Sequence, residues 1–129
     1  MKDKVNYKGL LLTQIAEVNL PLPDQYEYKF MDSRDWRFDY AWTDLKVAIE
    51  YNGIRYSKTK GNIGRTGHTT IVGVSNDYEK IGEAQIRNWI VIVTNPILVR
   101  DYITVDQLAR AILKRKKSRV RYLESKKNV

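Results

Sequence analysis

The fold of this chain is decided by two stretches, Trp36-Arg37-Phe38-Asp39-Tyr40-Ala41-Trp42 and Val47-Ala48-Ile49-Glu50-Tyr51-Asn52-Gly53. The first stretch is aromatic and the second opens with an apolar run, and both compositions are typical of β-strands. The segment between them, Thr43-Asp44-Leu45-Lys46, is polar with charged flanks and indicates a turn. A hairpin of this kind brings Asp39 and Glu50 into register range, so the pair is a candidate metal site.

The rest of the chain extends the hairpin into an α/β (α+β) domain. The predicted elements in chain order are a helix over 7–18, a strand over 26–30, the two hairpin strands, a long basic loop over 57–73, a helix over 75–89 capped by Ser75 or Asn76, a buried strand over 89–94 ended by Asn95-Pro96, and a last helix that begins at Thr104 or Asp106. The predicted order is therefore αβββαβ followed by a basic helix.

Length and charge limit the class of protein. The 129 residues predict a single domain over 1–129, with its core in 7–103 and a basic helix and tail in 104–129. The net charge of +8 favours a polyanionic partner, which is nucleic acid or, as a rival, anionic lipid. There is no long apolar run and no signal-like N-terminus, so we expect a cytoplasmic protein that does not span a membrane.

The residue counts also limit the metal chemistry. The chain has no cysteine and a single histidine, which excludes disulfides, thiolate zinc sites and histidine-rich metal sites within one chain. A metal ion at Asp39 and Glu50 is then held by oxygen ligands, as Mg²⁺ or Mn²⁺ usually is.

The order of elements and the placement of the two carboxylates resemble the PD-(D/E)XK, or restriction-endonuclease-like, nuclease superfamily. Within it, five segments are similar to a small group of phage and prophage endonucleases: 36–42, 47–53, Gly64-Arg65-Thr66-Gly67-His68-Thr69, Asp77-x-x-Lys80 and Trp89-Ile90-Val91. The resemblance covers about residues 15–100. It implies a restriction-endonuclease-like αβββαβ core with a mixed central sheet, and a Mg²⁺-dependent DNA endonuclease, located in the host cytoplasm if a phage encodes it.

The resemblance also implies a set of metal ligands. Asp39 and Glu50 would hold one or two Mg²⁺ (or Mn²⁺) ions against the scissile phosphate, together with the backbone carbonyl of Tyr51. Glu17 on the first helix matches the place where some members add a carboxylate, either as a ligand or to orient a metal-bound water. A carboxylate on the polar side of an amphipathic helix is also an ordinary surface residue.

Three further residues are candidates for catalysis. Asn52 stands where the motif has a lysine, and an amide can hydrogen-bond but supplies no positive charge. We expect Lys80 on the following helix to supply that charge, although Asp77 and Lys80 could equally form a surface ion pair. His68, in the glycine-rich loop, is a candidate for proton transfer or for a phosphate contact.

The expected partner is DNA. We expect the protein to bind the DNA backbone and to recognise the shape or structure of the DNA more than its sequence. Six of the eight residues from Lys114 to Arg121 are basic, which favours phosphate binding. With the basic loop, this tail is expected to line a DNA channel, and two sites in a homodimer would cut two strands. The candidate DNA contacts are Arg37, Arg65, Asp77, Lys114, Arg115, Lys117 and Arg119.

Several alternatives stay open at this stage. Asn52 also fits a non-catalytic DNA-binding module on a degenerate nuclease fold, and charge alone fits an RNA-binding or membrane-surface protein. Branched, nicked, flapped and ordinary duplex DNA are all candidate substrates. The three tryptophans, Trp36, Trp42 and Trp89, are expected to pack in the core or at strand edges instead of stacking on bases.

Overall fold

A computed structural model describes residues 4–53 and 71–127, in which a mixed sheet lies between two layers of helices. The elements are α1 (Tyr7–Glu17), β1 (Gln25–Lys29), β2 (Arg37–Trp42), β3 (Val47–Tyr51), α2 (Ile71–Ile86), β4 (Ile90–Thr94), α3 (Pro96–Arg100) and α4 (Ile103–Lys127). The strands are ordered β1-β2-β3-β4; the first three are antiparallel, and β4 runs parallel to β3. The predicted α+β class and mixed sheet are confirmed.

Each face of the sheet has its own core. On one face, β2, β3 and β4 pack against α1, α3 and α4 through a cluster that includes Leu11, Ile49 and Leu108. On the other face, the cluster of Phe38, Ala41, Ala48, Ala84 and Trp89 packs the sheet against α2. Trp36, Trp42 and Trp89 are all buried, so the expectation that they serve packing is confirmed.

The helix α2 begins earlier than the sequence indicates. Ser75 and Asn76 were predicted to cap it, yet both lie inside the helix, which already includes Ile71. Asn76 uses its side-chain oxygen elsewhere, since it accepts hydrogen bonds from Trp36 Nε1 (3.1 Å) and Arg34 Nη2 (3.2 Å). The predicted loop over 57–73 is therefore wrong at its last three residues, and its part up to residue 70 lies outside the described residues.

A short helix was not predicted at all. Asn95 and Pro96 end β4 as expected, but they also begin α3. The Asn95 side chain caps this helix by accepting a hydrogen bond from the backbone N–H of Leu98 (3.0 Å), and proline is favoured in a first helical turn. Gln14 of α1 then donates to the carbonyl of Val99 (3.0 Å), which fixes α1 against α3.

The last helix has a buried half and an exposed half. Residues of its first turns, among them Thr104, Leu108 and Ile112, are buried in the core. Arg115 is half-buried, and every residue from Lys116 to Lys127 is exposed. Among the helices of the described residues, none is both long and apolar enough to cross a membrane.

We expect Leu108→Ala to lower the free energy of unfolding by about 2–5 kcal/mol, because it leaves a cavity in a fully buried site. Leu113→Ala is the matched control on the same helix, since Leu113 is 52% exposed and exposed truncations change stability by about 0.5 kcal/mol or less. Urea denaturation of both variants measures the difference. Equal losses would contradict the placement of α4 in the core.

Candidate active site

Asp39 and Glu50 occupy opposing positions at the open end of the β2–β3 hairpin. The paired residues of these strands end at Tyr40 and Ile49, so the next position on each strand is one of the two carboxylates. Their side chains are 13% and 16% exposed. The structure thus places two acidic residues at opposing positions at one end of the central strands, with side chains largely shielded from water.

The backbone around Asp39 departs from that of a regular sheet. The backbone N–H of Tyr51 donates to Asp39 Oδ2 (2.7 Å), so that a side chain of β2 caps the end of β3. Opposite Asp39 on β1, Glu27 has a φ of 49°, a conformation that is uncommon for residues other than glycine. Its neighbours Tyr26 and Tyr28 pack on different faces, one on Tyr40 and the other on Trp89. Helices of both layers can therefore reach the carboxylates.

Lys8, in the first layer, contacts Asp39 from the first turn of α1. Its Nζ lies 2.7 Å from Asp39 Oδ1 and 3.6 Å from Glu27 Oε1. Burial lowers the pKa of Lys8, but the hydrogen bond and the negative charge of Asp39 outweigh it, and the pKa is raised. Neither Lys8 nor Glu27 was predicted as a site residue. One feature of the sequence pointed to Lys8. A cation in the first turn of a helix is disfavoured by the helix dipole, so an acidic side chain nearby is expected to compensate for it.

Lys80, in the second layer, reaches Glu50 from the middle of α2. Its Nζ donates to the Glu50 carboxylate and to the carbonyl of Arg37, and it lies 5.3 Å from the centre of the Phe38 ring. The side chain is only 11% exposed. Burial lowers the pKa of Lys80, while the charges of Asp39 and Glu27 act in the opposite direction. The structure thus brings Lys80 and Glu50, two of the predicted site residues, into contact.

A cleft of about 250 Å³ opens beside this contact. Four of the predicted site residues line it, namely Glu50, Asn52, Asp77 and Lys80, together with Tyr78 and the apolar Val74, Ile81 and Val93. Asn52 is held there because its backbone N–H donates to the carbonyl of Thr94 (2.8 Å) and continues the parallel ladder. The cleft therefore combines two carboxylates, an ammonium group and an amide.

Other candidates lie apart from the cleft or outside the described residues. Glu17 ends α1, nine residues after Lys8, which is about 13 Å along the helix axis. Arg37 points to Asp35 (3.2 Å) and to the carbonyl of Glu27 (3.4 Å). Arg65 and His68 lie outside the described residues. The structure gives Glu17 no place beside Asp39 and Glu50.

The basic tail lies at the other end of the sheet. Arg115 donates to the carbonyl of Asn88, just before β4, and Arg119 donates to the carbonyl of Asp44 in the β2–β3 turn (3.0 Å). The turn begins after Trp42, about 10 Å from Asp39 along β2. Lys114 and Lys117 are exposed on the same part of α4. The structure therefore does not bring the tail to the carboxylates.

The donor set at the hairpin end suits a hard divalent cation. Asp39 and Glu50 supply two carboxylates, and Mg²⁺ is usually bound by one or two carboxylates with waters and substrate phosphates completing its shell. In residues 4–53 and 71–127, no group of three or more histidine or acidic side chains is placed to hold a metal ion. A cation here would thus depend on the Asp39–Glu50 pair and on oxygens from outside the protein.

No protein-family model, curated protein or solved structure matches the chain.

Proposed function

We propose that this protein is a metal-dependent DNA endonuclease on a restriction-endonuclease-like fold. The observation that carries the proposal is the opposition of Asp39 and Glu50 at the ends of two paired strands, with the ammonium group of Lys80 on the second carboxylate. Hydrolysis of a phosphodiester needs charge neutralisation and an activated water, and this combination of groups suits both needs.

The metal centre consists of Asp39 and Glu50, with the backbone carbonyl of Tyr51 as a further proposed ligand. A Mg²⁺ ion held by these residues would supply Lewis acidity and would lower the pKa of a water molecule bound to it. The protein side chains hold the ligands in position. The Asp39 carboxylate, held by the Tyr51 N–H (2.7 Å), keeps the end of β3 in place, so both carboxylates are presented in a fixed relation.

Lys80 and Asn52 are proposed to act on the phosphate from the wall of the cleft. Both line it beside Glu50. Lys80 contributes the positive charge that offsets the charge developing on the phosphate oxygens, and the Asn52 amide donates a hydrogen bond. His68 as a proton donor, Arg65 as a phosphate contact and a homodimer that pairs two such sites are parts of the same proposal.

The experiment that tests the proposal is incubation of the purified protein with labelled linear, nicked and four-way-junction DNA in Mg²⁺, Mn²⁺ or EDTA. We expect products in either metal ion and none in EDTA, and the preferred DNA defines the substrate class. The control is the Asp39→Asn, Glu50→Gln double variant, which should give no product. Salt-sensitive binding without products in any metal ion would instead identify a non-catalytic DNA-binding module.

A second prediction concerns the basic face of α4 formed by Lys114, Lys117 and Arg121, which border one surface hollow. Changing all three to Gln is expected to weaken DNA binding and to reduce the slope of log K against log salt by about 2–3, as each lost phosphate contact removes about 0.9. The cleavage rate at saturating DNA should stay the same, since this face is remote from Asp39.

The matched control removes the same charge elsewhere, through Lys29→Gln, Lys46→Gln and Arg100→Gln. It should leave the salt slope closer to that of the unmodified protein. Binding isotherms at several salt concentrations compare the two triple variants, and equal slopes would show that α4 is not a specific DNA contact.

A further inference from the structure

The Lys8 ammonium group lies beside two carboxylates and the Tyr40 ring. Its Nζ lies 2.7 Å from Asp39 Oδ1 and 3.6 Å from Glu27 Oε1, and 5.9 Å from the centre of the Tyr40 ring. The backbone of Lys8 is held separately, because the Tyr40 hydroxyl donates to its carbonyl (2.9 Å). The side chain can therefore move from one carboxylate to the other without a change in α1.

Lys80 differs from Lys8 in how firmly it is held. Its side chain is 11% exposed against 36% for Lys8, and it also donates to the backbone carbonyl of Arg37. Moving Lys80 away from Glu50 would leave that carbonyl without its donor in a buried place, which is costly. Moving Lys8 away from Asp39 exchanges one carboxylate partner for another, Glu27, whose side chain is 61% exposed. Lys8 is accordingly the more exchangeable of the two cations.

The charges at the site favour such an exchange. The Lys8 ammonium group lies within 3.6 Å of the Glu27 and Asp39 carboxylates, and the Lys80 ammonium group contacts the Glu50 carboxylate. A divalent cation that enters beside Asp39 while Lys8 stays there would put like charges in contact. If Lys8 instead pairs with Glu27, each carboxylate keeps a cationic partner.

We propose that Lys8 is a displaceable counter-ion, which neutralises Asp39 when no divalent cation is bound and passes to Glu27 when one binds. This inference rests on the metal centre of the proposed function and does not depend on DNA cleavage. Lys8 therefore sets the metal affinity of the site and is a positioning residue, while Glu27 receives it and is not a ligand.

The test is calorimetric titration of the full chain with Mn²⁺. Lys8→Gln should bind Mn²⁺ about 10-fold more tightly than the unmodified protein, at the lower end of the range for coupled sites because Lys8 is partly exposed. Lys8→Arg retains the charge and should not bind more tightly. Lys46→Gln is the charge-matched control: Lys46 donates to the carbonyl of Arg87 at the other end of the sheet, beyond the range of screened charges.

A double-mutant cycle isolates the role of Glu27. Glu27→Gln should weaken Mn²⁺ binding when Lys8 is present, because Lys8 loses its second partner, and should have little effect in the Lys8→Gln background. An equal effect in both backgrounds would show that Glu27 acts on the metal ion directly, which overturns the proposal. If Lys8→Gln does not fold without metal, the Mn²⁺ affinity of the Glu27→Gln variant is the test. An affinity equal to that of the unmodified protein overturns the proposal.

The outcomes separate this inference from the proposed function. Mn²⁺ binding of equal affinity in the unmodified protein and Lys8→Gln would overturn the role of Lys8 and leave the metal centre intact. An absence of Mn²⁺ binding in both proteins would overturn the metal centre and the role of Lys8 together. Tighter binding in Lys8→Gln with no DNA cleavage by either protein would support the role of Lys8 and overturn the endonuclease.

Discussion

Glu50→Gln is expected to lower the rate of Mg²⁺-dependent DNA cleavage by about 10³-fold, since a metal centre contributes several kcal/mol and each 1.36 kcal/mol is tenfold in rate. The substitution keeps the size of the side chain but removes the charge that attracts the cation. Glu50 lies at the cleft, and the residue paired with it on β4 is the apolar Val93, so that strand offers no replacement carboxylate. Single-turnover rates at saturating DNA and several Mg²⁺ concentrations measure the loss.

The matched control for this variant is Glu79→Gln. Glu79 also lies on the α2 side of the molecule, but its carboxylate contacts Arg34 (3.1 Å) and is exposed. Its removal changes the net charge by the same amount and should change the cleavage rate less than twofold, because exposed ion pairs contribute little. A rate for Glu50→Gln within tenfold of the unmodified protein would contradict the proposed role of Glu50.

Lys80→Met is expected to lower the cleavage rate by about 10²–10³-fold while DNA affinity changes little, as for the loss of one donor that stabilises developing charge. Methionine retains much of the aliphatic stem of lysine, so the variant removes the ammonium group, which lies 5.3 Å from the centre of the Phe38 ring, with a limited change in packing. Rates at saturating DNA and filter-binding affinities separate the two effects. Full hydrolysis by this variant would remove the role of Lys80.

Lys46→Met serves as the control for Lys80→Met. Lys46 is also bonded to a backbone carbonyl, that of Arg87 (3.0 Å), but at the turn end of the hairpin. The same substitution there should leave the cleavage rate unchanged. A comparable loss in both variants would indicate a general effect of charge and not a specific group at the cleft.

Local patterns were enough to predict the hairpin and its two carboxylates. Two strand-like stretches joined by a short turn can pair in few ways, so Asp39 and Glu50 follow from spacing alone. Lys80 could be proposed only through the family resemblance, which implies that the helix following the hairpin can supply the basic group. Lys8 and Glu27 could not be placed in this way, since they reach Asp39 only through the packing of α1 and the pairing of β1 with β2.

The errors have physical causes that a single sequence does not reveal. Asparagine is a good capping residue, but the Asn76 side chain accepts hydrogen bonds from Trp36 and Arg34 instead. The helix α2 begins before it, at Ile71. The density of basic residues in the tail favours phosphate binding, yet only the packing of α4 decides which end of the sheet they reach. That packing takes Arg119 to the β2–β3 turn, far from the carboxylates.

The central claim is that Asp39 and Glu50 together bind one divalent cation, and anomalous diffraction from crystals soaked in Mn²⁺ tests it most directly. We predict an anomalous peak within coordination distance of both carboxylates, and none there in crystals of the Asp39→Asn, Glu50→Gln double variant. A Mn²⁺ ion bound elsewhere, with the Asp39–Glu50 site still held by Lys8 and Lys80, would contradict the claim.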